Sequence, residues 1–312
     1  MSAPDPYEAA VLADITKRLK RLRSIFDLAF LEGRGRSAGD IRRYYRVSEI
    51  IFRIFHSGQG AMHMALNYDG QFDREGYNGQ ARLVEQHLDG AKNVLELACG
   101  KGFNARYLAE RHPDVAFSAV DLLPTHLKRA RARTRHLPHL AFGVGDFHAL
   151  EFDDDRFDVV FVVEALCHAT DMRTALLQAA RVLRPDGRMI VVDGWRVPAF
   201  EKCPHEVQTA ARLVESAMAV GDPQRLDQWR DVAREAGFIV DSEADLTAAI
   251  MPNLQRLERI AGRFVKHPRL TRAAHRCLPP QTLMNIVAGY LMPAVVRGGG
   301  HTYRAIVLRA AA

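Results

Sequence analysis

The hydrophobic pattern changes character along the sequence. Residues 8 to 31 place Leu12, Ile15, Leu19, Leu22, Ile25 and Phe26 at steps of three and four, with Lys17, Arg18, Lys20, Arg21 and Arg23 between them. That spacing predicts an amphipathic helix with a basic face. A solvated face on a helix that covers a core reads this way, and so does a helix lying on an anionic membrane surface. After Gly33, Gly35 and Ser37 a second helical stretch is expected over about 39 to 66, and the two together read as a lid ahead of the main fold. From residue 92 short apolar runs alternate with helical segments, as in a parallel sheet built from βα units. KNVLELA, VAFSAVD, LAFGVGD, DVVFVVEA and RMIVVDGW are five candidate strands, with RPDG turning into the fifth. Beyond Trp195, residues 203 to 236 read as helical, GFIVDSEADL as a sixth strand, 252 to 297 as a proline-punctuated helical insertion, and HTYRAIVLR as a last strand. The expected class is α/β: a Rossmann-like, seven-stranded, mostly parallel sheet with helices on both faces. Its expected division is a helical lid over 1–85, an α/β core over 86–250, and a helical insertion with the final strand over 251–312.

Composition narrows the class of function. With 312 residues, 48% of them hydrophobic and 26% charged, the protein can bury a sizeable core as one large domain, or as one domain with an appended half. The net charge of +6 and a pI near 9.3 invite a nucleic-acid or anionic-membrane partner without requiring one. Cys99, Cys167, Cys203 and Cys277 lie far apart, so neither a zinc site nor a disulfide framework is expected, and a reducing cytoplasm fits. The start MSAPDPYEAA is acidic where a signal peptide is basic and then apolar, and no window approaches about 18 apolar residues, so secretion and membrane spanning are not expected.

The chemistry concentrates in VLELACGKGFNA, residues 94 to 105, an apolar strand running into a glycine turn and then a helix. Gly100 and Gly102 allow a tight turn and a close approach of backbone to ligand. Asp121, with Leu122 beside it, ends the second strand and is placed to accept from ribose hydroxyls. GKGFNA also satisfies the dinucleotide pattern GxGxxA, so a nicotinamide oxidoreductase must be weighed. Against it stands Glu96, ahead of the glycines, an acid that would hold a cationic amino-acid moiety and repel a pyrophosphate. GDF after the third strand offers Asp146 to an adenine amino group and Phe147 to cover the ring, and the fourth strand ends at the switch-point crevice.

With these residues the sequence resembles the class I S-adenosylmethionine-dependent methyltransferases. GDFHALEFDDDRFDVVFVVEALCHATD and RVLRPDGRMIVVDGW are similar, more narrowly, to the C-methyltransferases that modify sterol tails and their relatives on other isoprenoids, where the corresponding stretch has the form EAxCHAxD. RRYYRVSEIIFRIF and SGQGAMHMAL resemble that family's tyrosine-bearing lid and histidine loop, and VVRGGGHTYRAIVLRA its glycine-rich turn and last strand. The likeness covers about 41 to 310, and Ala98 stands where the family's cofactor loop begins with glycine.

The resemblance implies S-adenosylmethionine as cofactor, held by Glu96, Ala98, Gly100, Gly102, Asp121, Leu122, Asp146, Phe147 and Glu164. It implies methyl transfer to a hydrophobic small molecule, C-methylation of a sterol or other isoprenoid first, with a prenylated phenol or quinol as the alternative. Glu164 and His168 are the catalytic candidates at the fourth strand's carboxyl end, and Tyr44 and Tyr45 could offer a ring face or hydroxyl to a developing cation. His63, Phe52 and Tyr290 are the candidates for substrate contact, with the apolar surplus of 252 to 297 lining a tunnel. No metal ligand set is expected. Nucleic-acid base methylation is not favoured, because EALC stands where an (N/D)PP(Y/F) segment would. A peripheral membrane contact, a homo-oligomer, and an inactive cofactor- or lipid-binding protein on the same fold stay open.

Overall fold

The computed structural model describes residues 5–26, 28, 57–220, 222–269, 271–272 and 280–310. The expected second helical stretch over 39 to 66 falls mostly outside them. Tyr44, Tyr45 and Phe52 do so entirely.

Seven strands form one sheet: β1 (Asn93–Leu97), β2 (Ala116–Asp121), β3 (Leu140–Val144), β4 (Phe157–Val163), β5 (Leu183–Arg196), β6 (Phe238–Asp245) and β7 (His301–Ala310). Their order is β3-β2-β1-β4-β5-β7-β6. The pairs from β3 to β5 are parallel, while β7 lies antiparallel to both β5 and β6. All seven expected strands are present. The RPDG turn is an excursion inside β5: Phe157 pairs with Leu183 and Val159 with Arg188, so the extra residues bulge out of the ladder.

In β4, Val159 and Phe161 face one core and Val160 and Val162 the other, which is why the strand reads as a continuous apolar run. One face of the sheet is covered by α2 (Gly79–Glu85), α3 (Phe103–Ala109), α4 (Pro124–Arg133) and the first turns of α8 (Thr247–Lys266). The other is covered by α5 (Met172–Val182) and α7 (Leu226–Glu235). A third apolar cluster joins α1 (Pro6–Arg23), α6 (His205–Ala217), the later turns of α8 and α9 (Pro280–Arg297).

Two expectations change at α1. The helix ends at Arg23 rather than 31, because Ser24 leads into a turn whose amides at Ile25 and Phe26 bond back to Leu22. Its apolar stripe, Ile15, Leu19 and Leu22, is buried against α6 and α9. That face is therefore not available to a bilayer. Among the described residues no helix is long and apolar enough to cross a membrane. The C-terminal insertion begins at Thr247 rather than 252, and Pro252 sits inside α8 near its start.

Candidate active site

The sheet reverses its winding between β1 and β4, and both strands open their carboxyl ends onto one crevice. A cavity of about 120 Å³ there is lined by Glu96, Ala98, Gly100, Asp121, Leu122, Asp146, Phe147 and Glu164. These are all but one of the residues expected to hold the cofactor. The exception is Gly102, which is needed for packing: a Cβ there would stand 2.7 Å from the Phe142 ring and 3.0 Å from Ala130 Cβ. Ala98, Gly100 and Gly102 all have positive φ, at 51°, 55° and 68°, so the loop turns tightly, with Gly102 N bonding back to the Cys99 carbonyl at 2.9 Å. Ala98 carries a conformational strain there that glycine would not.

Each carboxylate is fixed by the backbone. Asp121 accepts from Gly100 N and Leu123 N at 2.8 Å each, which ties the end of β2 to the loop, and His126 Nδ1 stands 3.4 Å from its Oδ1. Glu96 accepts from Ala105 N at 3.0 Å and Asn104 at 3.3 Å at the start of α3. Burial pushes its carboxyl up to about 8, against those hydrogen bonds. Asp146 accepts from His148 N and Nδ1 at 2.9 and 2.7 Å, and Phe147 packs against the His148 ring. The mixture of acceptors, a buried ring and a glycine loop suits a nucleoside bearing an amino-acid tail, so the residues present fit S-adenosylmethionine.

A second cavity, about 250 Å³, opens beside the first and is walled by Ile250, Leu257, Ile260, Phe264, Ile286 and Met292 of α8 and α9. Met62, Glu164 and His168 belong to both cavities. Glu164 follows directly on β4 with φ 47°, a left-handed conformation that is strained for a residue with a Cβ. Its Oε1 accepts from Met64 N and from the Tyr303 hydroxyl, both at 2.7 Å. Gln80 donates in turn to the Tyr303 oxygen at 3.1 Å. Burial pushes the Glu164 carboxyl up to about 7, although the bonds from Tyr303 and Met64 favour its charged form. His168 is buried on the 3-10 turn after β4, its Nδ1 3.0 Å from the Ala219 carbonyl, and burial lowers its pKa. Asp193 lines the larger cavity and is pushed up to about 6 by burial.

Glu164 and His168 are thus brought together with the cofactor residues, as expected. His63 lines the smaller cavity rather than the apolar one; its Nε2 is 2.8 Å from the Tyr77 carbonyl, and burial lowers its pKa to about 4. Tyr290 is a correction: it faces α1, with the Arg18 guanidinium 4.8 Å over its ring, and does not line the cavity. Its backbone carbonyl accepts from Arg18 Nη1 as well, at 2.7 Å, which ties that turn of α9 to α1. Tyr303, Gln80 and Asp193 went unread in the sequence. Tyr303 stands inside HTYRAIVLR, where strand alternation marks one face but not what that face meets.

Residues 95–191 match the sequence model of the methyltransferase domain family. This protein has a class I S-adenosylmethionine-dependent methyltransferase domain. That domain is 37% identical over 126 residues to a phthiotriol/phenolphthiotriol dimycocerosates methyltransferase of Mycobacterium tuberculosis, a match covering 40% of this chain and 46% of that one. The chain thus spans about half the length of the curated relatives it first matches. A malonyl-[acyl-carrier protein] O-methyltransferase of Halorhodospira halophila is 30% identical over 209 residues, 64% of this chain and 66% of its own length. Among solved structures, a cyclopropane synthase of Mycobacterium tuberculosis superposes with a TM-score of 0.70 at 15% identity, over 87% of this chain and 97% of the other. A geranyl diphosphate C-methyltransferase of Streptomyces coelicolor A3(2) does so at 0.61 and 14%, over 86% and 98%. At such identities the superpositions speak for the fold of the methyltransferase domain, and the acceptor is a separate question.

Proposed function

We propose that the protein transfers a methyl group from S-adenosylmethionine to a hydrophobic, lipid-like acceptor, and that the acceptor atom is an alkene carbon of a sterol or other isoprenoid. The observation that carries this is Glu164, a buried carboxyl with a pKa of about 7 standing where the cofactor cavity meets the apolar one. In this reading residues 86–250 hold the cofactor, and 251–312 close the acceptor cavity together with the 1–85 lid.

S-adenosylmethionine, when bound, supplies a methyl group on a positively charged sulfur. Asp121 and Asp146 would take its hydroxyl and amino hydrogens, and Phe147 would cover its base. The apolar walls from α8 and α9 exclude water from the acceptor. Methylation of an alkene leaves a cation on the acceptor that must lose a proton from a neighbouring carbon. Glu164 Oε would accept that proton, and the C–H electron pair would restore the double bond. The Tyr303 hydroxyl holds Glu164 in place and favours the ionised form that can act. His168, neutral through burial, stands at the same junction and would remove the proton if the acceptor were instead a hydroxyl or a quinol. The O-methyltransferase among the relatives favours that second reading.

Purified protein is incubated with methyl-labelled S-adenosylmethionine and a lipid extract containing sterols, linear prenyl compounds and prenyl quinols, and the products are identified by mass spectrometry. Label on a sterol or prenyl carbon supports the first reading. Label on oxygen or an aromatic ring replaces it with the second, and cofactor binding without any labelled product favours a binding protein.

A further inference from the structure

The antiparallel pairing of β5 with β7 sets Gly194 opposite Tyr303 and Arg196 opposite His301. Alternate residues of a strand share a face, so the face that carries Tyr303 also carries His301 and Arg196. All of them reach the larger cavity. Glu215 of α6 completes a cluster there: Arg196 donates to it from Nε at 2.7 Å and from Nη2 at 2.6 Å, and His301 Nε2 stands 2.9 Å from its Oε1. These bonds leave Nη1 of Arg196 and Nδ1 of His301 outside them. The three side chains are 18%, 16% and 3% exposed for Arg196, His301 and Glu215. Burial alone raises the Glu215 carboxyl, but the bonds and charges of His301 and Arg196 overrule it and hold it at about 2.

An ionic cluster in the wall of an apolar cavity is a poor way to attach a helix, because desolvating the charges offsets much of their attraction. α6 is already attached through Val207, Ala210 and Val214 in the third apolar cluster. The cluster therefore suits a polar occupant, and its charges say which kind. Among the described lining residues Glu164, Asp193, Glu215 and Asp222 are carboxyls, and the Arg196 guanidinium and the His301 imidazole, the groups here that can carry positive charge against Glu215, are both already bonded to it. A phosphate or carboxylate head would meet four acids and no uncommitted cation among those residues.

We propose that Arg196, Glu215 and His301 form a recognition subsite for an uncharged oxygen, a hydroxyl or carbonyl, on an otherwise apolar acceptor. It lies one two-residue repeat along β7 from Tyr303, about 7 Å from the reacting end. That the ligand is a methyl acceptor rests on the methyl-transfer reading above; the chemistry of the subsite does not. His301 acts here as a specificity residue that orients the ligand through its oxygen.

The test measures binding without methyl transfer. Both tryptophans of the protein, Trp195 and Trp229, line this cavity, so their fluorescence reports its filling. 1-Dodecanol, dodecane and dodecyl phosphate are titrated into the full-length protein. The wild type is expected to bind dodecanol at least about tenfold tighter than dodecyl phosphate. His301→Leu should weaken dodecanol about tenfold relative to dodecane, the size of one lost hydrogen bond, and His301→Gln should recover part of that loss. Preference for dodecyl phosphate, an alcohol-to-alkane ratio unmoved by His301→Leu, or no binding of any of the three would overturn the proposal. If His301→Leu does not fold, the wild-type comparison of dodecanol with dodecyl phosphate still decides. Alcohol selectivity in a protein that methylates nothing would sink the enzymatic reading and leave the subsite standing. Methylation without that selectivity would do the reverse.

Discussion

At the scale of single residues, the site turns on Glu164, which is held by a strained backbone, a backbone amide and a phenol. A left-handed non-glycine residue costs on the order of 1–3 kcal/mol, and the fold keeps it at the mouth between two cavities. Glu164→Gln is expected to lower kcat about 10²- to 10⁴-fold with cofactor binding retained, read by single-turnover product formation beside calorimetric titration of the cofactor. Activity should rise with pH through about 7 as the carboxyl ionises. Tyr303→Phe removes a bond that favours the charged form, so that rising limb should move to higher pH; a limb that stays put would show that Tyr303 only packs. Stability carries the opposite sign. Glu164 titrates near 4.5 when unfolded and about 7 when folded, so its contribution is complete below pH 4.5 and lost as pH rises to 7. Melting temperatures of Glu164→Gln should therefore gain on the wild type across that window. Glu164 was legible in the sequence because EALCHATD carries it as a local motif. Its partner Tyr303, 139 residues away, was not, because only the sheet's pairing brings the two together.

At the scale of elements, two short segments answer to packing more than to propensity. Gly102 joins the cofactor loop to α3 with φ 68°, and Phe142 and Ala130 leave no space for a methyl group. Gly102→Ala is expected to cost at least about 1–3 kcal/mol in urea unfolding, from strain and overpacking together. For α1 the periodicity was readable and its partner was not. The same stripe of Ile15, Leu19 and Leu22 suits a membrane surface or a protein core, and the sequence has no local feature that separates them. The structure packs that stripe on α6 and α9. Leu19→Ala should then destabilise the protein by about 2–5 kcal/mol, seen as an earlier thermal transition; no change would mean that α1 is not docked in solution. The Tyr290 expectation failed for a related reason. In a long helix rich in apolar residues, composition marks an interior face, but the direction of one ring depends on its neighbour, here Arg18.

At the scale of the whole molecule, the strands and their sequence order were readable from alternating apolar runs and turn residues. The place of the last strand was not, because nothing local in HTYRAIVLR says that it enters between β5 and β6. That placement makes β7 a seam: it bonds to both neighbours and supplies Tyr303 to the carboxyl of Glu164 after β4 and His301 to the acid of α6. Deleting residues 301–310 is expected to abolish cooperative unfolding followed by circular dichroism, since β6 then has no partner in the sheet. A truncated protein that still melts in one sharp step would show that the seam is dispensable.

The same seam orders events in time. A ribosome makes β7 after every strand it joins, so a growing polypeptide can wind its glycine loop and its parallel strands while Glu164 still lacks a phenol and Glu215 an imidazole. The crevice beside the glycine loop can be shaped early, but the larger apolar cavity is finished only when β7 arrives. A nascent polypeptide interrupted before residue 301 would carry the glycine loop and its strands, with one wall of the larger cavity still to be made.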